Sequence, residues 1–298
     1  MSSDEHYELY KYAPSLALAL TFLALFLLST LLHTYQLLRT RVWYLLPLLI
    51  GGFCEWIGYI GRAVSARETS PSYTLGPYII QSLLLLIAPI FFAASIYMEL
   101  GHIILLANGE AHSPIRKRFL TVTFVMGDVF SFMVQSTGAG ILTKKGEAHA
   151  AATGKWIIIG GLAIQLLFFG VFMVVGMVFH TRVNRNPTGR SESPNVPWRK
   201  HMWTLYATSL LIMIRSVFRL VEYVQGTEGY LMRNEVWLYV FDAVLMLLTM
   251  VALNVVHPSE VKGLLRGRKA MRWLVLTQEM KKAEESDGVK AGKEGGGS

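Results

Sequence analysis

The amino-acid sequence predicts an all-α membrane protein built as a bundle of seven transmembrane helices. The chain contains seven long apolar runs, and each meets or exceeds the ~20 residues that an α-helix needs to cross a ~30 Å hydrocarbon core. Of its 298 residues, 53% are hydrophobic, and the mean hydropathy is +0.41. A transmembrane β-barrel would instead show segments of ~10 residues with alternating hydrophobicity. The composition therefore favours helices in lipid.

The seven spans belong to one transmembrane domain, residues 1–260. The N-terminal segment MSSDEHYELYKY is acidic and lacks the basic region of a cleaved signal peptide, so the first span is expected to be a permanent helix. The third span contains Pro89, which predicts a long helix that is kinked or tilted. The predicted spans are residues 14–36, 42–64, 77–107, 119–142, 156–180, 202–225 and 236–257.

Two further segments follow the predicted bundle. After Pro258, apolar residues such as Leu264 and Trp273 alternate with basic residues. This pattern predicts a basic amphipathic helix over 261–276 that lies on the inner leaflet, against anionic lipid headgroups. Residues 277–298 are of low complexity and are predicted to form a disordered tail.

The basic residues in the loops, in the terminal segments and near the ends of the spans predict the orientation of the bundle. The side that holds the N-terminus and the second, fourth and sixth loops carries 7 of them, whereas the other side carries 19. The positive-inside rule assigns the side rich in Lys and Arg to the cytoplasm. We therefore predict that the N-terminus lies outside and the C-terminus lies in the cytoplasm.

Ionisable residues inside the spans are the main functional signal. Arg215, Arg219 and Glu222 are spaced i, i+4 and i+7, which places them on one face of the sixth span. An unpaired charge at the centre of such a helix costs about 2.5–3.5 kcal/mol even on mild insertion scales, so these groups are expected to pair inside the bundle. Acids outnumber bases within the spans, which suits a cationic head group or a proton; the alternative is a salt-bridge lattice that only fixes helix packing. The predicted substrate-binding ionic centre consists of Glu55, Asp128, Gln135, Arg215, Arg219, Glu222 and Asp242.

Four histidines at the predicted cytoplasmic ends of the odd-numbered spans form a second pattern. A zinc site needs three ligands that converge at about 2.0–2.1 Å, and an intramembrane lipid hydrolase could be built that way, with Glu99 or Asp128 as its acid–base partner. Histidine is also common at membrane interfaces, and no two of these histidines share a ligand-spaced motif. We therefore predict no metal and no cofactor, with His33, His102 and His257 as the remaining metal candidates. The histidines of this pattern lie at the inner ends of the odd-numbered spans and are His33, His102, His180 and His257.

Some classes of function are excluded by missing motifs. The chain has no GxxxxGK[ST] segment, so ATP cannot be bound by a P-loop. The seventh span has no lysine and cannot form a retinal Schiff base. Basic residues spread over short membrane loops also make nucleic acid a poor partner.

Several short segments of the spans form a distinctive set. They are GYIGR at 58–62, IAPIFFAASIYM at 87–98, GDVFSFMVQSTGAGI at 127–141, GLAIQLLFFGVF at 161–172, IRSVFRLVEYVQG at 214–226, YVFDAVLMLL at 239–248 and HP at 257–258. Through these segments the chain resembles the fungal lipid-translocating exporter family, seven-transmembrane proteins of the aminocholesterol-resistance type, over about residues 10–260. The resemblance implies a multi-pass protein of the fungal plasma membrane. It also implies export or flipping of sphingoid long-chain bases, a link to sterol-like amphiphiles and, in one branch, porphyrin uptake.

Three functional hypotheses follow. The leading one is a non-enzymatic translocator or exporter of an amphiphilic lipid, such as a sphingoid base or a sterol-like amine, that confers resistance to toxic lipids or drugs. Its partners would be membrane lipids, the amphiphilic substrate and the anionic inner-leaflet headgroups. The second is a seven-helix receptor or stress sensor, whose fifth loop and C-terminal tail would contact a partner. The third is a zinc-dependent intramembrane lipid hydrolase.

Overall fold

Seven helices in the computed structural model are long and apolar enough to cross a membrane, which confirms the predicted seven-span bundle. The structure describes residues 12, 14–68, 74–142, 148–193, 196–226, 229–266, 269–272 and 275–278. The α-helices are α1 Leu16–Thr40, α2 Leu46–Ser65, α3 Leu75–Leu106, α4 Lys117–Leu142, α5 Ala148–Arg185, α6 Trp198–Gln225, α7 Tyr230–Arg233, α8 Glu235–Leu238, α9 Leu245–Val255 and α10 Ser259–Arg266. Short 3-10 helices occupy Trp43–Leu45 and Glu110–His112, a π-helix occupies Tyr239–Val244, and two strands are β1 Lys269–Arg272 and β2 Val275–Gln278.

The seventh span is a composite of α8, the π-helix and α9. We call the end of the bundle at which α1 begins the outer end, and the opposite end the inner end. These names follow the orientation predicted from the sequence, which stays a prediction.

The ends of α1 show how local sequence sets the helix boundaries. The Ser15 hydroxyl accepts a hydrogen bond from the backbone N–H of Leu18 at 3.4 Å, as expected of an N-cap serine. At the other end, Arg41 adopts a left-handed conformation with φ 54°, and its N–H donates to the carbonyl of Leu37 at 2.7 Å. The chain therefore leaves α1 sharply and enters α2 within a few residues.

Glycines allow neighbouring spans to approach closely. A Cβ atom at Gly61 of α2 would lie 2.8 Å from the carbonyl oxygen of Pro77 in α3. A Cβ atom at Gly161 of α5 would lie 3.1 Å from the carbonyl oxygen of Ser131 in α4. Small residues bring transmembrane helices together in this way because lipid supplies no hydrophobic driving force between them.

The bundle places apolar side chains outside and many polar ones inside. Large apolar residues such as Leu28, Met133 and Leu167 are exposed on its surface, where lipid tails would surround them. Buried charged residues include Glu55, Arg62, Glu99, Asp128, Arg215, Glu222, Asp242 and Glu260. The interior therefore contains the groups that can act on a polar ligand.

The helix predicted over 261–276 is shorter in the structure than the sequence suggested. Helix α10 ends at Arg266, and the chain continues as an antiparallel pair in which β1 and β2 align Lys269 with Gln278 and Arg272 with Val275. Gly267 in the sequence disfavours a longer helix, and β-branched Val275 and Thr277 favour a strand. The first residues of the predicted tail, 277–278, thus belong to β2, and 279–298 lie outside the described residues.

Helix α10 packs against the bundle through most of its residues. Its residues from Ser259 to Gly263 are all buried, and Val261 is completely so. The Nζ of Lys262 donates to the carbonyl oxygen of Arg41 at 3.0 Å, at the inner end of α1. The basic residue that was expected to contact headgroups instead satisfies a backbone carbonyl, and α10 packs across the inner end of the bundle.

Candidate functional site

The centre of the bundle contains a buried ionic cluster formed by α6 and the π-helix. The carboxylate of Asp242 accepts hydrogen bonds from both arginines of α6, from Nε of Arg215 and from Nη2 of Arg219, the latter at 2.9 Å. Arg219 also pairs through Nη1 with Glu222 at 2.9 Å. The predicted i, i+4, i+7 face of the sixth span is therefore the face that carries the charges.

The π-helix at Tyr239–Val244 sets the position of Asp242. A π-turn inserts one extra residue into a helical turn and occurs frequently at functional sites. It changes the angular relation between the residues before it and those after it. As a result, Asp242 faces α6 while Glu235 of α8 faces α2.

Arg215 has a second acceptor, which depends on Pro89. A proline inside a helix has no N–H and leaves the carbonyl four residues earlier without its helical partner. In α3 that carbonyl belongs to Leu85, and it accepts from Nη2 of Arg215 at 2.7 Å. Arg215 thus joins α6 to both α3 and the π-helix.

Glu55 of α2 completes the cluster and forms no ion pair within the described part of the chain. Its side chain is 2% exposed, and its Oε1 atom has no hydrogen-bond partner in the described part of the chain. It lies within electrostatic range of Asp242, Arg215 and Arg219. Three carboxylates therefore share two guanidinium groups, and the surplus acid is Glu55. A buried carboxylate without a partner either takes up a proton or requires a cation.

A second ion pair closes the outer end above this cluster. Arg62 of α2 is completely buried and donates through Nη2 to Glu235 at 2.7 Å and to the hydroxyl of Tyr12 at 3.0 Å. Its Nε donates to the hydroxyl of Tyr239 at 2.9 Å. The carboxylate of Glu235 also accepts from the backbone N–H of Ser15 at 2.9 and 3.0 Å. These contacts tie α2, α8 and the start of α1 together.

Stacked aromatic rings separate the two ion-pair systems. The ring of Phe22 in α1 stacks on Tyr59 at 5.9 Å and on Tyr239 at 5.1 Å between centroids. The hydroxyl of Tyr59 is buried and has no hydrogen-bond partner in the described part of the chain. A polar group thus lies between the outer ion pair and the ionic cluster.

Comparison with known proteins identifies the family. A family model described as RTA1 like protein matches residues 48–263. The chain belongs to the RTA1-like family. It is 35% identical to Protoporphyrin uptake protein 1 of Saccharomyces cerevisiae, over 85% of this chain and 93% of that protein. It is 30% identical to the Probable lipid transporter atnI of Emericella nidulans, over 85% of this chain and 68% of that protein. It is 26% identical to the Sphingoid long-chain base transporter RSB1 of Saccharomyces cerevisiae, over 83% of this chain and 72% of that protein. No solved structure matches the chain.

The part of this RTA1-like chain that matches the family model includes the whole ionic cluster. Residues 48–263 contain Glu55, both arginines of α6 and Asp242, and they also contain Arg62 and Glu235 of the outer ion pair. Helix α1 lies before the matched region.

Asp128 and Gln135, which the sequence assigned to the same centre, lie elsewhere in this RTA1-like bundle. Asp128 of α4 accepts from the hydroxyl of Tyr97 at 2.8 Å and forms no ion pair with another described residue. Gln135 donates to Ser131 and to Gln165 of α5, each at 3.0 Å. The prediction of one shared centre is wrong for these two residues. Helix α4 packs on α3 and α5, and the hydrogen bonds that Asp128 and Gln135 form there are to neutral groups.

The histidine candidates also have other roles. Nε2 of His33 lies 3.1 Å from the carbonyl oxygen of Met250, and the rings of His33 and His257 are 6.3 Å apart. His102 stacks on Tyr44, with 4.1 Å between ring centroids. Among the described residues, no group of three His, Cys, Asp or Glu side chains is arranged to hold a metal ion. The hydrolase hypothesis therefore has no metal site in the described part of this RTA1-like chain.

Sequence reasoning missed two buried groups, Arg62 and His201. Arg62, in the last turn of the second span, was counted only among the basic residues on its side of the bundle, and His201 was overlooked because it precedes the sixth span. The sequence did contain a signal for Arg62, since Glu235 is an acid at the same predicted end of the bundle. For His201, the signal was a pair of acids near the same predicted end of the bundle, Glu99 and Glu260.

Proposed function

We propose that the chain is a translocator of amphiphilic lipids that carry an amine head group, with sphingoid long-chain bases and sterol-like amines as its substrate class. A role in lipid-related membrane transport or resistance accords with the RTA1-like family, in which relatives are named as a lipid transporter and a sphingoid long-chain base transporter. We further propose that it acts at the plasma membrane and lowers the toxicity of such lipids to the cell.

One observation carries the proposal, the surplus carboxylate of Glu55. Asp242 and Glu222 are paired with the two arginines, whereas Glu55 is buried with an oxygen that lacks a partner in the described part of the chain. An ammonium group would pair with this carboxylate and offset the free energy of keeping a charge in low dielectric. The hydrocarbon part of the substrate could remain in contact with apolar side chains or lipid.

The arrangement disfavours an anionic substrate in the same place. One relative is named for protoporphyrin uptake, and a porphyrin dicarboxylate would need a cation of the protein. Arg215 and Arg219 each already pair with a carboxylate, so an anion would have to displace Asp242 or Glu222. An amine needs no such displacement. For this reason the charge count favours a cationic head group.

Reconstituted vesicles provide the test. The purified chain would be inserted into vesicles, and the redistribution of a labelled sphingoid base between leaflets would be compared with that in empty vesicles. Because a hydrogen bond to a charged group contributes ~1.5–3 kcal/mol, we expect Glu55→Gln to slow redistribution by about tenfold to a hundredfold. Asp128→Asn is the matched control, since it neutralises a buried acid outside the cluster and should leave the rate unchanged.

Two outcomes would contradict the proposal. Redistribution no faster than in empty vesicles would reject translocation of this substrate. If each neutralised acid lost activity only in proportion to the loss of folded protein, measured by thermal unfolding in detergent, the cluster would be a packing lattice. A labelled ceramide, which lacks the amine charge, should show no dependence on Glu55.

A further inference from the structure

A histidine at the inner end of the bundle lies between two carboxylates. Nδ1 of His201 is 3.5 Å from Oε1 of Glu99, and Nε2 is 3.2 Å from Oε2 of Glu260. His201 is completely buried, and both glutamates are almost completely buried. Neither Nδ1 of His201 nor Oε1 of Glu99 has a hydrogen-bond partner in the described part of the chain, so the nearest partner for each is the other. The three residues belong to α6, α3 and α10.

These three residues connect α10 to the rest of the bundle. The carboxylate of Glu260 also pairs with Lys200 of α6. On either side of it, the hydroxyl of Tyr44 donates to the carbonyl oxygen of Pro258 at 2.9 Å, and Lys262 donates to the carbonyl oxygen of Arg41 at 3.0 Å. Helix α10 is thus held across the inner end by these polar contacts together with the packing of Val261, Leu264 and Leu265 on the apolar core.

We propose that His201, Glu99 and Glu260 form a proton-binding site that fastens α10 across the inner end of the bundle. When the proton is bound, α10 is closed against α3 and α6. When the proton leaves, one of the connections is lost and α10 opens toward the side that the sequence predicts to be cytoplasmic. The proton is the ligand, and α10 is the element that moves.

The geometry assigns the proton to this site by hydrogen-bonding capacity. An imidazolium has two N–H donors, one for each carboxylate, whereas a neutral imidazole has one donor and one acceptor. Neutral His201 would therefore direct a lone pair at one of two buried glutamates. Such an arrangement is unfavourable, because a buried carboxylate that loses its donor is left poorly solvated. Protonated His201 donates to Glu260 and places its positive charge beside Glu99, with 3.5 Å between Nδ1 and Oε1.

The other titratable groups around this site do not take over its role. His257 accepts from the backbone N–H of Ser259 through Nδ1 at 3.2 Å, which requires that this nitrogen be unprotonated. His33 lies beyond His257 and contacts a backbone carbonyl. Tyr44 lies within electrostatic range of Glu99, and Lys200 faces Glu260. Lys200 supplies a permanent charge to only one of the two carboxylates, which leaves Glu99 dependent on His201.

This inference rests on the proposed function for one point, namely that an open inner end would admit an amphiphilic lipid. Opening of α10 would uncover the inner ends of α3 and α6, and α6 carries Arg215 and Arg219 of the ionic cluster. The closure itself needs no substrate and can be measured on the purified chain. Failure of lipid redistribution alone would leave the proton site intact, and failure of the closure test alone would leave the translocator function intact.

Cysteine accessibility tests the proposal. Cys54 is the single cysteine of the chain, and Cys54→Ala removes it. Val261→Cys then places one thiol on the buried side of α10, and Arg185→Cys in a separate protein places one on an exposed position at the same end. The rate of maleimide labelling at 261 is divided by the rate at 185, which removes the intrinsic pH dependence of the reagent. We expect this ratio to rise by about tenfold between about pH 5 and about pH 9.

Variants separate His201 from a general effect of pH. His201→Gln should give a high labelling ratio that no longer changes with pH, because glutamine has no titratable proton. His180→Gln is the matched control: it removes a histidine at the inner end of α5 that contacts Tyr206 rather than α10, and it should keep the rise. If His201→Gln does not fold, Glu260→Gln replaces it, and it should likewise flatten the profile. A flat profile in the chain that retains His201, or an unchanged rise in either substituted protein, overturns the proposal.

Discussion

At the scale of single residues, Arg215 shows how a buried charge can supply the hydrogen bond that a proline removes from a helix. Pro89 leaves the carbonyl of Leu85 without a helical donor, in a region where no water is expected to replace it. Arg215 carries more donors than one carboxylate can accept, and it contributes one of them to that carbonyl at 2.7 Å. The proline and the arginine therefore depend on each other, although they lie in different spans.

This dependence can be measured with a double-mutant cycle. Pro89→Ala restores an N–H donor to Leu85, and Arg215→Lys keeps the charge while removing the planar fork of donors. We expect Arg215→Lys alone to destabilise the fold by ~2–3 kcal/mol and the coupling between the two changes to be about 1 kcal/mol, so that the lysine is less harmful when Pro89→Ala is also present. Thermal unfolding in detergent would report all four proteins.

Arg219→Lys in the same cycle is the control. Arg219 contacts Glu222 and Asp242 but not Leu85, so its effect should add to that of Pro89→Ala. Additive effects for Arg215 as well would show that the carbonyl contact contributes nothing to stability.

The charged residues of the spans illustrate what the sequence can predict at this scale. Arg215, Arg219, Glu222 and Asp242 were expected to meet because unpaired charges are costly in lipid, and the structure brings them together. Asp128 could not be assigned in this way. Its partner is the hydroxyl of Tyr97, a neutral group that gives no charge signal in the sequence.

At the scale of elements, the π-helix is the part of the seventh span that positions the site. Glu235 lies before it and pairs with Arg62, whereas Asp242 lies within it and pairs with Arg215 and Arg219. In a regular α-helix each residue advances the side chain by a fixed angle. The extra residue of the π-turn changes that angle between the two acids and lets both ion pairs form at once.

Removal of that extra residue should therefore break one of the two ion pairs. Deletion of Val240, which is exposed at the bundle surface, would rotate Glu235 against Asp242 by about one residue, or ~100°. We expect a loss of about 3–5 kcal/mol, as for breaking a buried ion pair, and loss of lipid redistribution. Thermal unfolding and the vesicle assay would report it. Val240→Ala keeps the chain length and should change neither the stability nor the rate of lipid redistribution. If the deletion affected both as little as this control does, the role of the π-turn would be contradicted.

The elements also show where hydropathy is sufficient and where it is not. Seven runs of the required length gave seven spans because lipid requires every backbone group to bond internally, which leaves a helix as the favoured form. The segment after Pro258 had no such constraint. Its alternation of apolar and basic residues fits either a helix or a strand, and the contacts of Glu260 and Lys262 with other spans could not be read from it.

At the scale of the whole molecule, the ionic cluster lies between two sets of polar contacts, one at each end of the bundle. The outer one joins Arg62 to Glu235, with Tyr12 and Ser15 attached, and the inner one joins α10 to Glu99, His201 and Lys200. Both depend on polar contacts at the ends of spans. A transporter that works by alternating access needs such contacts at each side of a central site, because the two sides must not be open together.

The orientation of the molecule in the membrane remains a prediction. The excess of basic residues at the inner end predicts a cytoplasmic C-terminus. A tag after residue 298 should be reached by protease only after the cells are permeabilised; cleavage in intact cells would contradict the orientation.

A protein cut after residue 278 retains every described element, so we expect unchanged lipid redistribution in vesicles and unchanged growth on a toxic lipid. A sensor that signals through its tail would instead lose the growth phenotype on the same deletion while its stability, measured by thermal unfolding, stayed the same.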